Sequence, residues 1–282
     1  MLKKNKKKPI PIDTVHLFPV LDKLLIKLLR SLDKEQWNSA TIAKHWKVKD
    51  IAAHLLDGNI RTLSFSRDQY FGQQPGPIHS YADLVHYLNQ LNHSWTDALQ
   101  RMSPLLLTDL LQITGKQYSK HLKELDPYRD AIFPVAWAGQ EVSPNWFHIA
   151  REYTEKFLHQ QQVRDAVGHQ ALLTKRLYHP FLQTFMQALP YTYRNTAAET
   201  GTVVTVKITG KAGGKWHIIK NDREWAFIKK AKQAAATVTI DPYDAWKLFS
   251  RGMAPAEARN KVVIGGDIEL GRVVLEMVSV MA

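Results

Sequence analysis

Leu17, Leu21, Leu24, Leu28 and Leu32 recur every three or four positions, the spacing of one face of an α-helix. Asp13 or Thr14 stands where a capping side chain belongs. The same period predicts a second helix over about 48–70, with Val48, Ile51, Ala52, Leu55 and Leu56 on its apolar side. Residues 72–77, Gly-Gln-Gln-Pro-Gly-Pro, break the pattern. A third helix begins after Ser80 and carries Leu84, Leu88, Leu91, Trp95 and Leu99. Ser103 and Pro104 open a shorter helix. Residues 126–144 read as irregular, with Pro127, Pro134, Gly139 and Pro144. Ser143 and Pro144 then cap a helix that reaches about Gly168, and another over 175–189 is stopped by Pro190.

After Thr196 the period changes from helical to two. Residues 202–208 alternate, 210–214 make a glycine-rich turn, and 215–219 continue as a partner strand. Residues 225–228, 237–240 and 261–264 are further candidate strands. Asp241 and Asp267 stand before two helices, the second expected to run to about Val280. The predicted fold is thus α followed by α+β: a bundle of four or more helices over 10–172, then a linking helix and a small α+β domain over 173–282. A chain of 282 residues is long for one compact core and comfortable for two.

A hydrophobic content of 45% with 23% charged residues is that of a soluble globular protein. The net charge of +12 is partly local, because Lys3, Lys4, Lys6, Lys7 and Lys8 precede the first apolar run. Residues 1–9 read as an unstructured basic leader rather than a signal peptide, since the apolar run after them is amphipathic. No stretch has basic and aromatic residues interleaved on one face, so nucleic acid is not an expected partner. No apolar run is long enough to span a bilayer, and the expected location is the cytoplasm. The chain has no cysteine. That excludes disulfides, thiolate metal sites and a cysteine nucleophile, so any thiol chemistry needs an external thiol.

Candidate chemistry centres on the helix over 143–166. Trp146, Ala150, Tyr153 and Phe157 share one stripe, while His148, Glu152, Glu155 and His159 share another. The second stripe is open to two readings. It is the wet side of an amphipathic helix, or it supplies a Glu/His pair one turn apart that reaches a single ion. His54 is a candidate third ligand, or an exposed histidine on a polar face. No G-x-S-x-G, phosphate loop or dinucleotide fingerprint occurs.

Trp46-Lys-Val-Lys-Asp-Ile-Ala-Ala-His54 resembles the tryptophan-to-histidine segment of DinB-like bundle proteins. More closely, it resembles that of the mycothiol-dependent maleylpyruvate isomerase group. Residues 134–139, Pro-Val-Ala-Trp-Ala-Gly, resemble that group's loop before its ligand helix, and residues 151–168 resemble the helix itself. Residues 234–282 resemble its sterol-carrier-like companion domain, through 237–240, 241–249, Ser250-Arg-Gly252 and 262–267. The resemblance implies a DinB-like four-helix bundle whose His54, Glu155 and His159 bind a divalent metal, zinc in the cell. It leaves His148 and Glu152 as neighbours. Arg164, Ala166 and Gly168 match the pattern after the ligands. Gln162 departs from it, because the group often has an aspartate there; if that group stands behind the ligands, metal affinity changes with it.

The implied activity is that of a metal-dependent isomerase or S-transferase. A low-molecular-weight thiol, held as its thiolate, attacks a small electrophilic substrate. Arg164, Arg223 and Arg251 are candidates to hold a substrate carboxylate, each with a plain surface role as its alternative. Trp137 walls the pocket or simply packs in the core. Two other functions stay open: a hydrolase in which the same ion activates water, and a non-enzymatic binder of an apolar ligand.

Overall fold

A computed structural model describes residues 9–72 and 76–280; all but the last residue of the basic leader expected over 1–9 lies outside them. A 3₁₀ turn, Val15–Leu17, leads into α1 (Phe18–Ser31). Thr14 occupies the N-cap position without a capping bond. A short α2 (Lys34–Trp37), not anticipated from periodicity, is closed by a capping box between Asp33 and Gln36. α3 (Val48–Thr62) continues as a π-helical turn, Leu63–Arg67, so this segment stops short of residue 70. The Ser80 hydroxyl caps α4 (Tyr81–Leu99), accepting from the Asp83 N–H at 3.1 Å.

α5 (Pro104–Glu124) is not short: it has 21 residues, with Ser103 as cap. Its stripe, Leu107, Leu111, Tyr118 and Leu122, is interrupted by Gly115. There α1 comes so close that a Cβ would sit 2.8 Å from Asp22 Oδ2. The close approach requires the glycine, and the glycine hides the helix from a periodicity count.

α6 (Asn145–Ala166) follows, but Ser143 does not cap it; its hydroxyl accepts from the Val135 N–H at 2.9 Å and ties down the preceding loop. α7 (Lys175–Phe185) passes through a 3₁₀ turn into α8 (Leu189–Thr192). Pro190 therefore does not end the helical run, because it occupies the first turn of a new helix, where no N–H is needed. α1, α3, α5 and α6 pack in a ring as the four-helix bundle, and α4 lies along α3.

The C-terminal part contains β1 (Val203–Ile208), β2 (Gly214–Lys220), β3 (Trp225–Ile228), β4 (Ala236–Ile240), α9 (Pro242–Phe249), α10 (Pro255–Ala258), β5 (Val263–Gly266) and α11 (Ile268–Arg272). The sheet order is β3-β2-β1-β4-β5; β1 and β4 are parallel and the other neighbours antiparallel. β5 lies two residues later than the pattern suggests. The last helix is also much shorter than expected. A 3₁₀ turn, Val273–Glu276, follows α11 and the chain then extends. There the Ser279 N–H donates to Phe249 O at 3.0 Å and its hydroxyl to Phe185 O at 2.9 Å. These carbonyls end α9 and α7, and a continued helix could not supply their donors.

The buried hydrophobic residues form two clusters among the described residues. One cluster joins Leu17, Phe18, Tyr153, Phe157 and Phe181 to Val206, Trp246 and Phe249, so both parts share it. A second cluster, including Leu25, Ile51, Leu55, Leu107 and Leu111, lies wholly within the bundle. No helix among the described residues is long and apolar enough to cross a membrane.

Candidate metal centre

α6 is buried on almost every side, because the bundle packs against one flank and α7 against the other. Its polar stripe is therefore not a wet face: His148 is 4% exposed and His159 8%. His54 on α3 meets this stripe. One potential ligand atom from each of His54, Glu155 and His159 lies within 4.8 Å of the other two. His159 Nε2 is 3.3 Å from Glu155 Oε2, and the two imidazoles stand nearly perpendicular with centroids 4.6 Å apart. The i, i+4 spacing on α6 and the facing position on α3 create this convergence.

The surroundings orient the rings. His159 Nδ1 donates to Gln162 Oε1 at 2.8 Å, which leaves the Nε2 lone pair on the side of Glu155 and His54. Trp46 packs against both imidazoles, with centroids 4.9 Å from His54 and 6.1 Å from His159. His54 Nδ1 and Asn92 Oδ1 are both buried without a well-formed hydrogen bond. Burial above all, then the neighbouring His159 and Arg61, hold the His54 imidazole well below its ordinary pKa. A neutral imidazole is the form that binds metal. Two such nitrogens and a carboxylate form a donor set suited to zinc and similar divalent ions, so these residues fit one.

The model of the mycothiol maleylpyruvate isomerase N-terminal domain family matches residues 20–164, just over half of the 282-residue chain. The chain belongs to this family. Its fold is also that of a mycothiol-dependent maleylpyruvate isomerase, whose crystal structure is 11% identical with a TM-score of 0.56, over 93% of this chain and 95% of that chain. A histidine-to-alanine mutant of that isomerase matches over the same shares at 10% identity and a TM-score of 0.55. The sterol carrier protein domain 2 of Helicoverpa armigera is 18% identical over 35% of this chain and 84% of that chain, but its TM-score of 0.25 is too low to build on. No curated protein matches.

Within this member of the maleylpyruvate isomerase family, His148 and Glu152 stand apart from the three converging residues. Glu152 accepts from the Tyr118 hydroxyl at 2.5 Å and pairs with Arg151, which contacts His148 Nδ1 at 3.2 Å. Burial alone would raise the Glu152 carboxyl, but Arg151, His148 and the Tyr118 hydroxyl pull it down to about 2. Burial, reinforced by Arg151, lowers His148 to about 4. A second polar group lies beneath: Lys156 Nζ is 3.1 Å from Asp22 Oδ1 and 2.8 Å from Asn59 Oδ1. Sequence reasoning missed both groups. No local signal marked Lys156, which lies between the two stripes of α6 and takes its partners from α1 and α3.

The remaining candidates are not brought to the three converging side chains. Arg164 closes the end of α6, with Nη1 at 2.8 Å from His169 Nδ1 and 2.9 Å from Gln170 O. Trp137 is buried, edge-on to Phe147 at 5.9 Å and Phe185 at 6.4 Å, which favours the packing reading. Arg223 lies exposed in the β2–β3 turn. Arg251 is exposed and left-handed, with φ of 59°, just after α9. Its neighbour Gly252 abuts Ile42, where a Cβ would lie 3.0 Å from Ile42 Cδ1. Ile42 belongs to the loop that delivers Trp46, so Gly252, the residue after Arg251, packs against the segment beside the His54 and His159 imidazoles.

Proposed function

We propose that His54, Glu155 and His159 hold a divalent metal ion, zinc in the cell. We further propose that the protein is a thiol-using isomerase or S-transferase acting on a small electrophilic molecule. The observation that carries this reading is the convergence of the three side chains from α3 and α6 within 4.8 Å. When bound, such an ion acidifies a thiol or water placed on it. The chain has no cysteine, so the thiol comes from solution. The similar crystal structures are of a mycothiol-dependent enzyme, which makes mycothiol the first thiol to test.

The protein's own residues supply orientation. Gln162 fixes the His159 tautomer, and Trp46 shields both imidazoles from water. Arg164 already serves Gln170 O and His169, whereas Arg251 makes no ion pair among the described residues. Arg223 also makes no ion pair among the described residues, but Arg251 precedes Gly252, which packs on Ile42, so Arg251 is the arginine we assign to a substrate anion.

Elemental analysis of protein purified without chelators should give one metal per chain, and His159→Ala should lose it. Turnover of a small electrophile should then rise with added mycothiol. A metal-free wild type would overturn the reading. Thiol-independent hydrolysis by metal-loaded protein would replace the isomerase with a hydrolase.

A further inference from the structure

The sheet has two faces of opposite character. Val204, Val206, Ile208, Ile218, Val238 and Ile240 are buried beneath the helices. On the other face the register aligns two rungs across β2, β1 and β4: His217–Thr205–Thr237 and Lys215–Lys207–Thr239. The segment after β3 adds Lys232, and these side chains line a concavity of about 310 Å³.

Lys207 and Lys215 face each other directly across an antiparallel pair. Like charges in that position repel and destabilise a sheet. No carboxylate lines the concavity. Neither lysine, nor Lys232, makes an ion pair among the described residues. The Thr205 hydroxyl and His217 Nδ1, 2.8 Å apart, fix the imidazole at the floor. Three lysines and three threonines thus line one concavity with no carboxylate among them, a donor-rich surface of the kind that an anion with several oxygens requires. The lining has no Phe, Tyr or Trp for stacking a base and no large apolar side chain to enter a bilayer. Its volume suits a small molecule rather than a polymer.

We propose that this face is a second binding site, separate from the metal centre, for a small phosphorylated molecule free in solution, held by Lys207, Lys215, Lys232 and the threonine hydroxyls. The ligand relieves the repulsion between the two facing lysines.

Inorganic pyrophosphate is the probe. Calorimetric titration of the full chain at about 0.15 M salt, where long-range attraction is screened, should show saturable one-to-one binding. The double variant Lys207→Ala/Lys215→Ala should bind at least tenfold more weakly, and Lys207→Arg/Lys215→Arg should retain binding. Pyrophosphate also ligates divalent ions, so the titration is repeated on His159→Ala, where the same affinity is expected. Without ligand, the double alanine variant should melt no lower than wild type, which separates lost binding from lost folding. Absence of saturable binding, or equal binding by the alanine variant, would overturn the proposal. So would a single-stranded oligonucleotide or a phosphatidylserine vesicle that occupies the face and is not displaced by pyrophosphate.

Discussion

His159 Nδ1 lies 2.8 Å from Gln162 Oε1, one turn further along α6. A neutral amide thus does at this position the orienting work that a carboxylate does behind many metal-binding imidazoles. It fixes the tautomer and holds the ring in place without adding negative charge behind it.

Gln162→Leu should therefore weaken metal binding by about 10–100-fold, the usual effect of losing such a partner. Gln162→Asp should strengthen it by adding charge behind the ring. Competition against a chromogenic chelator measures both. Wild-type affinity in the leucine variant would show that the ring needs no support from residue 162.

The network of His148, Arg151, Glu152 and Tyr118 predicts a two-stage loss of stability in acid. His148, lowered to about 4, stays neutral in the fold while the unfolded chain takes up its proton below about 6.5. Stability then falls as pH drops from about 6.5 to about 4, by roughly 3 kcal/mol in total. Glu152, lowered to about 2, contributes stability that is complete above about 4.5 and is lost as pH falls towards 2, again about 3 kcal/mol. Urea titrations from pH 7 to pH 3 would show both stages. In His148→Gln the decline between 6.5 and 4 should be shallower, with the later stage kept.

The Lys156–Asp22 pair joins α6 to α1 across a buried position, and Asn59 satisfies the same ammonium from α3. Lys156→Met should cost about 3–5 kcal/mol, because it leaves Asp22 charged and unpaired. Lys156→Met combined with Asp22→Leu should recover most of that loss. Metal content of the folded fraction should not change in either variant. A variant that stayed stable but lost its metal would move Lys156 into the metal centre.

The helices and strands were legible where one periodic face met one packing surface, as with Leu17, Leu21 and Leu28 or Val204, Val206 and Ile208. The misreadings share a cause, which is contact from far along the chain. Periodicity cuts α5 short because Gly115 answers to Asp22 on α1. Periodicity carries the final helix too far because Ser279 is needed by Phe249 and Phe185. Spacing alone left Glu155 and His159 on a stripe that could have been wet, since nothing local showed that α6 is enclosed on both sides. The resemblance around Trp46 and His54 supplied the missing partner. It carried no information about the ion pairs of Arg151 and Lys156, whose partners no short motif encodes.

Gly139 offers the sharpest test of how the two parts of the chain meet. It ends the turn Ala136–Ala138 with φ of 74°, a conformation costly for any residue with a Cβ. The Tyr191 ring of α8 occupies the space that a Cβ would need. Gly139→Ala should thus be destabilising for two separable reasons. The backbone share is about 1–2 kcal/mol. The overlap share depends on whether Tyr191, 40% exposed, swings outward. In a Tyr191→Ala background only the backbone share should remain, so a double-mutant cycle by chemical denaturation separates the two. Equal costs in both backgrounds would mean that the ring yields freely, and that the fit of this loop against α8 adds nothing to stability.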